Sequence, residues 1–192
     1  AATLVQQEWL PRLRELREPE RKDLDAWAKD ALLSYDPQNP AQSYGDVIAH
    51  LFLHPEERQR EIERLCDGKF PGFGYATLAA LMAVEGGRFN VTLTTNFDDL
   101  IADALYLFTP ARPLVIHHES LASYIRPTRT RPLVVKLHGD HRLSPQNTAD
   151  ETEVLRGEID KQVRTLLHDR GLIFVGEGAR IRALVGCWRR CR

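Results

Sequence analysis

Four short apolar runs, separated by amphipathic stretches, fill the second half of the chain. Each run is rich in Val, Leu or Ile and is bounded by Gly, Pro or polar residues. This pattern is typical of strands that are covered on both faces. The predicted strands are Asn90–Thr94, Leu114–His117, Leu133–Leu137 and Leu172–Val175.

The stretches between these runs have the period of helices. Apolar residues recur every three or four positions between Phe97 and Phe108, and again between Leu155 and Leu167. Alternation of strands and helices predicts an α/β fold, in which a parallel sheet is flanked by helices. We expect one domain over residues 1–192, with a mainly helical part (1–87), an α/β part (88–178) and a basic tail (179–192).

Composition excludes several classes of protein. Apolar residues make up 43% of the chain, charged residues 28%, and the net charge is −1. These values exclude global disorder and argue against a protein that coats nucleic acid or an anionic membrane. The longest apolar run, Leu78–Val84, is too short to span a bilayer, and three cysteines are too few for a disulfide scaffold. We therefore expect a soluble, cytoplasmic protein that makes no membrane contact.

Polar residues and glycines follow three of the predicted strands. Ligands of open parallel sheets bind at the carboxyl ends of strands, so these positions are candidate site residues. Asp99 is interpreted as a helix cap, whereas Asn96 and Asp98 can both cap the helix and face a ligand. The His138-Gly139 pair offers a general base beside a backbone that a ligand can approach.

The strand ends together resemble the sirtuin family, in particular its zinc-free bacterial branch associated with anti-phage defence. Three segments carry the resemblance in the family's order: Thr94-Thr95-Asn96-Phe97-Asp98, the His138-Gly139 pair, and Gly171–Gly178. Thr95 stands where the family has glutamine. The family's opening strand and glycine-rich phosphate loop have no counterpart in this sequence, and the tail after Gly178 departs from the family's pattern.

The resemblance implies a Rossmann-like NAD-binding domain that hydrolyses NAD to nicotinamide and ADP-ribose as a bacterial defence effector, once the missing loop is supplied. NAD is then the substrate. The implied catalytic residues are Asn96, which positions water or the nicotinamide ribose, and His138, the general base. The implied NAD-binding residues are Thr95, Asp98 and Gly139 on the nicotinamide side, and Gly176 and Gly178 on the adenosine side.

Three other functions stay open. The chain could be an NAD-dependent protein deacylase, a non-catalytic module that binds NAD or ADP-ribose or serves assembly, or a nucleic-acid binder through its arginine-rich tail. The implied partners are a second copy of the chain, or a sensor or Argonaute-like protein that is fused to it or associated with it. Any contact with nucleic acid is then made indirectly, through such a partner.

No metal site is expected. Residues 140–175 contain no cysteine, so the cysteine pairs that hold zinc in deacylating sirtuins are missing there. His50 and His54 stand one helical turn apart without a third ligand. His117 and His118 end the second predicted strand, and one of them could face the site.

Overall fold

The computed structural model describes residues 2–32, 35–84, 87–126, 128, 130–142, 145–146, 148, 157–168 and 170–176. The described residues form two compact units, one lying mainly within residues 1–61 and the other mainly within residues 62–192. The α-helices are α1 (Ala2–Leu4), α2 (Leu10–Arg17), α3 (Leu24–Ala31), α4 (Tyr44–Leu51), α5 (Pro55–Cys66), α6 (Phe73–Met82), α7 (Leu100–Phe108) and α8 (Gly157–Leu167). The strands are β1 (Val91–Thr94), β2 (Leu114–Ile116) and β3 (Leu133–Lys136).

The first unit is helical around two buried tryptophans. Trp9 lies in a π-helical turn between α1 and α2, and its indole N–H donates a 2.9 Å hydrogen bond to Glu61 Oε1. Trp27 lies on α3, which begins where the Asp23 carboxylate accepts a 3.0 Å hydrogen bond from the Ala26 N–H. The predicted helical N-terminal region is therefore confirmed.

The second unit contains a parallel sheet with the order β1-β3-β2. Val91 and Leu114 both pair with Leu133, and the register continues until Thr94 pairs with Lys136. Parallel neighbours place all carboxyl ends at one edge, so the segments that follow β1 and β3 emerge side by side. The predicted α/β, Rossmann-like class is confirmed.

Helices cover both faces of this sheet. Val134 packs with α6 and α7 through residues such as Met82 and Leu105. Its neighbours Leu133 and Val135 face the opposite side, where α8 and a 3₁₀-helix over Glu119–Tyr124 complete a second apolar cluster. The full burial of β3 agrees with the continuous apolar run at residues 133–135, whereas all residues of β1 are half-buried. None of the described helices combines the length and the apolarity needed to cross a bilayer.

The fourth predicted strand is not a strand in this structure. Residues 172–175 have no ladder partner, and Ile173 and Val175 are 70% and 86% exposed. Leu172 alone packs partly against the cluster of α8. Apolar composition favours a strand only where a neighbouring strand offers backbone hydrogen bonds, and the described residues offer none to this segment.

Candidate functional site

The loop after β1 is shaped by its own side chains. The N–H of Asn96 donates a 3.0 Å hydrogen bond to Thr94 Oγ1, and the N–H of Leu100 donates one of 3.1 Å to Asp98 Oδ1. These bonds turn the chain sharply from the strand into α7. Asn96 is left exposed at the turn, while Thr95 and Asp98 are half-buried.

Asp98, and not Asp99, provides the hydrogen bond that caps α7. Asp99 occupies the N-cap position of α7, but its side chain makes no capping hydrogen bond. Its Oδ1 instead lies 2.7 Å from Lys136 Nζ, and Asp98 bonds the first helical N–H. The interpretation of Asp99 as the cap is therefore wrong, because a buried ammonium from the neighbouring strand attracts its carboxylate.

The turn after β3 carries His138 and Gly139. The N–H of Leu137 donates a 2.8 Å hydrogen bond to the carbonyl of Thr94, which extends the strand pairing to the edge of the turn. Gly139 has a φ of +85°, a left-handed conformation that residues with a Cβ rarely adopt. The glycine is thus needed for the turn itself, besides any close approach of a ligand.

His138 is buried and electrically neutral at physiological pH. Burial lowers the pKa of its ring from 6.5 to about 4, because the charged form would lose its hydration. The Nδ1 atom is buried and has no hydrogen-bond partner within the part of the chain that the structure describes. An unpaired buried nitrogen is costly, which makes this atom a natural acceptor or donor for a bound ligand.

Lys136 joins the two loops. Its Nζ lies 2.9 Å from the Phe97 carbonyl oxygen, 2.7 Å from Asp99 Oδ1 and 2.6 Å from Asp140 Oδ2. Burial alone would raise the pKa of Asp140, but hydrogen bonds from Lys136 and from the Arg142 N–H lower it below its usual value. The ring Nδ1 of His141 lies 2.9 Å from the same Phe97 carbonyl.

These side chains also form the one group among the described residues with the spacing of metal ligands. One ligand atom from each of Asp99, Asp140 and His141 lies within 4.8 Å of the others. The ammonium of Lys136 bonds both carboxylates, so it already supplies the positive charge that a cation would bring. The donor set therefore does not fit an additional metal ion while Lys136 is in place.

Two residues that sequence reasoning did not select lie beside this edge. The side chain of Tyr75, on α6, hydrogen-bonds that of Asn96; burial and the nearby Asp98 carboxylate raise the pKa of its hydroxyl. Burial, followed by the charge of Asp98, raises the pKa of the Cys66 thiol to about 11, so it stays protonated. No local signal identifies either residue, because both come from helices that precede the sheet.

The two histidines after β2 have separate roles. His118 Nδ1 lies 3.2 Å from the Ser120 N–H and caps the 3₁₀-helix that follows. His117 Nδ1 is buried and lacks a hydrogen-bond partner among the described residues. Strand alternation places His117 level with Lys136, on the side of the sheet that α6 and α7 cover.

Of the two glycines predicted for the adenosine side, Gly176 lies within the described residues. Gly176 has a φ of +82° and is exposed at the end of the unpaired segment 172–175. Gly178 and the basic tail (179–192) lie outside the described residues. The structure thus brings together the loop of Thr95, Asn96 and Asp98 with the turn of His138 and Gly139.

The order of these loops agrees with a known family. Residues 90–180 match the family model described as the SIR2-like domain. This segment is similar to SIR2-like domains. The matched segment starts one residue before β1, and the match confirms the resemblance to sirtuins and supports an NAD-related function. It includes all the predicted site residues: Thr95, Asn96, Asp98, His138, Gly139, Gly176 and Gly178. No curated protein matches the chain.

Proposed function

We propose that the chain binds NAD at the carboxyl edge of the sheet and hydrolyses it to nicotinamide and ADP-ribose. The observation that carries the proposal is the contact between two loops: the hydrogen bond from Leu137 to Thr94 holds the Asn96 loop beside the His138 turn. These are the loops whose residues resemble the sirtuin motifs. In the proposal, Thr95, Asp98 and Gly139 contact the nicotinamide ribose, and Gly176 and Gly178 the adenosine half.

The reaction needs little beyond what this edge offers. The bond between C1′ of the ribose and the pyridinium nitrogen breaks, and its electron pair leaves with nicotinamide. Water adds its oxygen to C1′, and its proton passes to His138 or to solvent. Because the leaving group is good, positioning of water and ribose contributes most of the rate enhancement. Asn96 offers both a donor and an acceptor for that purpose.

The neutral protonation state of His138 suits the role of a proton or hydrogen-bond acceptor. A ring with a pKa of about 4 is neutral at pH 7, and only the neutral ring accepts a proton or a hydroxyl hydrogen bond. Its low basicity suits partial proton transfer as charge develops on the ribose, rather than full deprotonation of water beforehand.

The test is nicotinamide release from NAD. The assay uses two proteins: the 192-residue chain, and the same chain with an added strand and glycine-rich loop of the SIR2-like type. The second protein is included because backbone amides of such a loop bind pyrophosphate. A matched control is His50→Ala, which changes a histidine of the helical unit. Release by the wild type and by His50→Ala, but not by His138→Ala, is expected. No release by either form of the wild type would refute the hydrolase proposal.

Binding without hydrolysis is the second candidate, and the low pKa of His138 favours it. Calorimetric titration with ADP-ribose and NAD separates the two candidates. Equal, tight binding of both ligands without nicotinamide release would support a binding module. Release that requires an acylated peptide would instead support the deacylase.

We further propose that NAD depletion in the cytoplasm during phage infection is the biological role, as the resemblance to the defence branch implies. A sensor, an Argonaute-like protein or a second copy of the chain would then control the activity. Cellular NAD and plaque counts, measured with the wild type and with His138→Ala, test this role. Equal NAD levels and equal plaque counts for the two would refute it.

A further inference from the structure

Lys136 is an unusual residue for its position. It ends the central strand of the sheet and is 1% exposed, although it is charged. Burial of an ammonium group is strongly unfavourable unless hydrogen bonds and opposite charges replace its hydration. A side chain with no purpose beyond filling space at this position would be apolar, like Val134 and Val135 before it.

The ammonium has a complete set of partners. It carries three N–H donors, and three oxygen atoms lie within 2.9 Å of it: the Phe97 carbonyl, Asp99 Oδ1 and Asp140 Oδ2. Two of these acceptors belong to the loop after β1, and the third belongs to the turn after β3. One cation therefore fixes two separate loops relative to each other.

The bonded residues alternate with the proposed site residues along the chain. Phe97 lies between Asn96 and Asp98, and Asp140 follows His138 by two positions. The bond between Lys136 and Asp140 thus fixes the far side of the His138 turn. The bond to the Phe97 carbonyl fixes the backbone that carries Asn96. Loss of the ammonium would leave two carboxylates, Asp99 and Asp140, facing each other without compensation.

We propose that Lys136 is a positioning residue for NAD hydrolysis, which sets the separation between the Asn96 loop and the His138 turn. The inference rests on the proposed function. Lys136 itself touches no substrate in this proposal, since all three of its donors are used within the protein. A displacement of reacting groups by about 1 Å costs on the order of 10²-fold in rate, so this separation matters for catalysis.

The experiment separates positioning from simple stabilisation. Lys136→Met keeps the length of the side chain but removes its charge, so the half-buried Asp99 carboxylate and the buried Asp140 carboxylate both lose their cationic partner. The triple variant Lys136→Met, Asp99→Asn and Asp140→Asn removes those charges as well, and we expect its urea midpoint to recover towards that of the wild type. Lys161→Met, which changes an exposed lysine on α8, is the matched control.

The readout is kcat and KM for nicotinamide release. We expect kcat of the folded triple variant to fall about 10²-fold while KM changes far less, because the NAD contacts remain but the reacting groups are misplaced. A triple variant that folds and keeps the kcat of Lys161→Met would overturn the positioning role. Nicotinamide release absent already in the wild type would refute the proposed function instead, so the two failures are distinguishable.

A second measurement covers the case in which the variants are too unstable for kinetics. Lys136→Arg preserves the charge but cannot direct three N–H bonds from one atom to the same three oxygens. We expect it to stay folded and to lose kcat, with a changed chemical shift of the Asn96 side-chain amide. Wild-type kcat together with an unchanged amide signal would overturn the proposal.

Discussion

The backbone N–H of Leu137 lies 2.8 Å from the carbonyl oxygen of Thr94 and donates a hydrogen bond to it. This bond continues the pairing of β1 and β3 one residue past the end of β3. Asn96 follows Thr94 by two positions, and His138 follows Leu137 directly. Two residues that are 42 positions apart in the sequence therefore share one edge of the sheet.

Replacement of His138 should separate activity from folding. His138→Phe fills the same space without the unpaired nitrogen, so we expect the free energy of unfolding to be kept or slightly increased. Nicotinamide release should fall by about 10²–10⁴-fold, the usual contribution of a general base. The check is an activity assay combined with urea unfolding. Full activity of folded His138→Phe would contradict the assignment.

Asn96→Ala should impair the reaction without affecting the fold. The Asn96 residue is exposed and its side chain bonds Tyr75, so we expect its truncation to lower the free energy of unfolding by only about 0.5–1.5 kcal/mol, the usual contribution of one hydrogen bond. Nicotinamide release should fall by about 10²-fold because water or ribose is no longer held in place. Thermal unfolding and initial rates measure the two effects, and an unchanged rate would remove Asn96 from the site.

Acidification should destabilise the protein through His138. The ring titrates near pH 6.5 when the chain is unfolded and near pH 4 when it is folded. Above pH 6.5 neither state binds the proton; as the pH falls towards 4, only the unfolded state does, so about 3 kcal/mol of stability is lost. Urea unfolding at pH 7, 5.5 and 4 measures this loss.

His138→Phe is the control for this pH dependence and should flatten it over the same window. The lowered pKa of Asp140 also makes stability decline with acid, but only below the usual aspartate pKa of 3.8. A wild-type curve that is flat between pH 6.5 and 4 would show that His138 is hydrated in solution.

Gly139→Ala should destabilise the turn after β3. A residue with a Cβ is destabilised by roughly 1–2 kcal/mol at the φ of +85° that Gly139 adopts, so the free energy of unfolding should fall by this amount. Relaxation of the turn would also displace His138. Gly74→Ala is the contrasting change, because Gly74 lies in α6 with open space around its Cα and an ordinary φ. Thermal unfolding should show a loss for Gly139→Ala and a gain of up to about 1 kcal/mol for Gly74→Ala. Equal shifts would contradict the turn argument.

Purified protein should contain no stoichiometric zinc. Residues 140–175 lack cysteine, and the carboxylates of Asp99 and Asp140 already bond the ammonium group of Lys136. Elemental analysis after dialysis without chelator checks this prediction. Zinc at one equivalent per chain would contradict it and would renew the case for a deacylase.

The sequence was sufficient where structure depends on short-range pattern. Runs rich in Val, Leu and Ile identified β1, β2 and β3 to within a residue or two, because such side chains favour a pleated backbone that is at least half-covered. Polar residues directly after those strands then located Asn96 and His138 at one edge, since parallel strands end together.

Only the tertiary structure decided which charges meet. Whether Asp98 or Asp99 caps α7 depends on Lys136, which lies on another strand and attracts Asp99 across 2.7 Å. The hydrogen bond of Tyr75 to Asn96 and the exposure of residues 173–175 depend likewise on neighbours that are distant in the sequence. A periodic pattern shows which residues are buried. It does not show their partners, because the energy of a buried charge or an unpaired strand is set by the atoms that the fold brings against it.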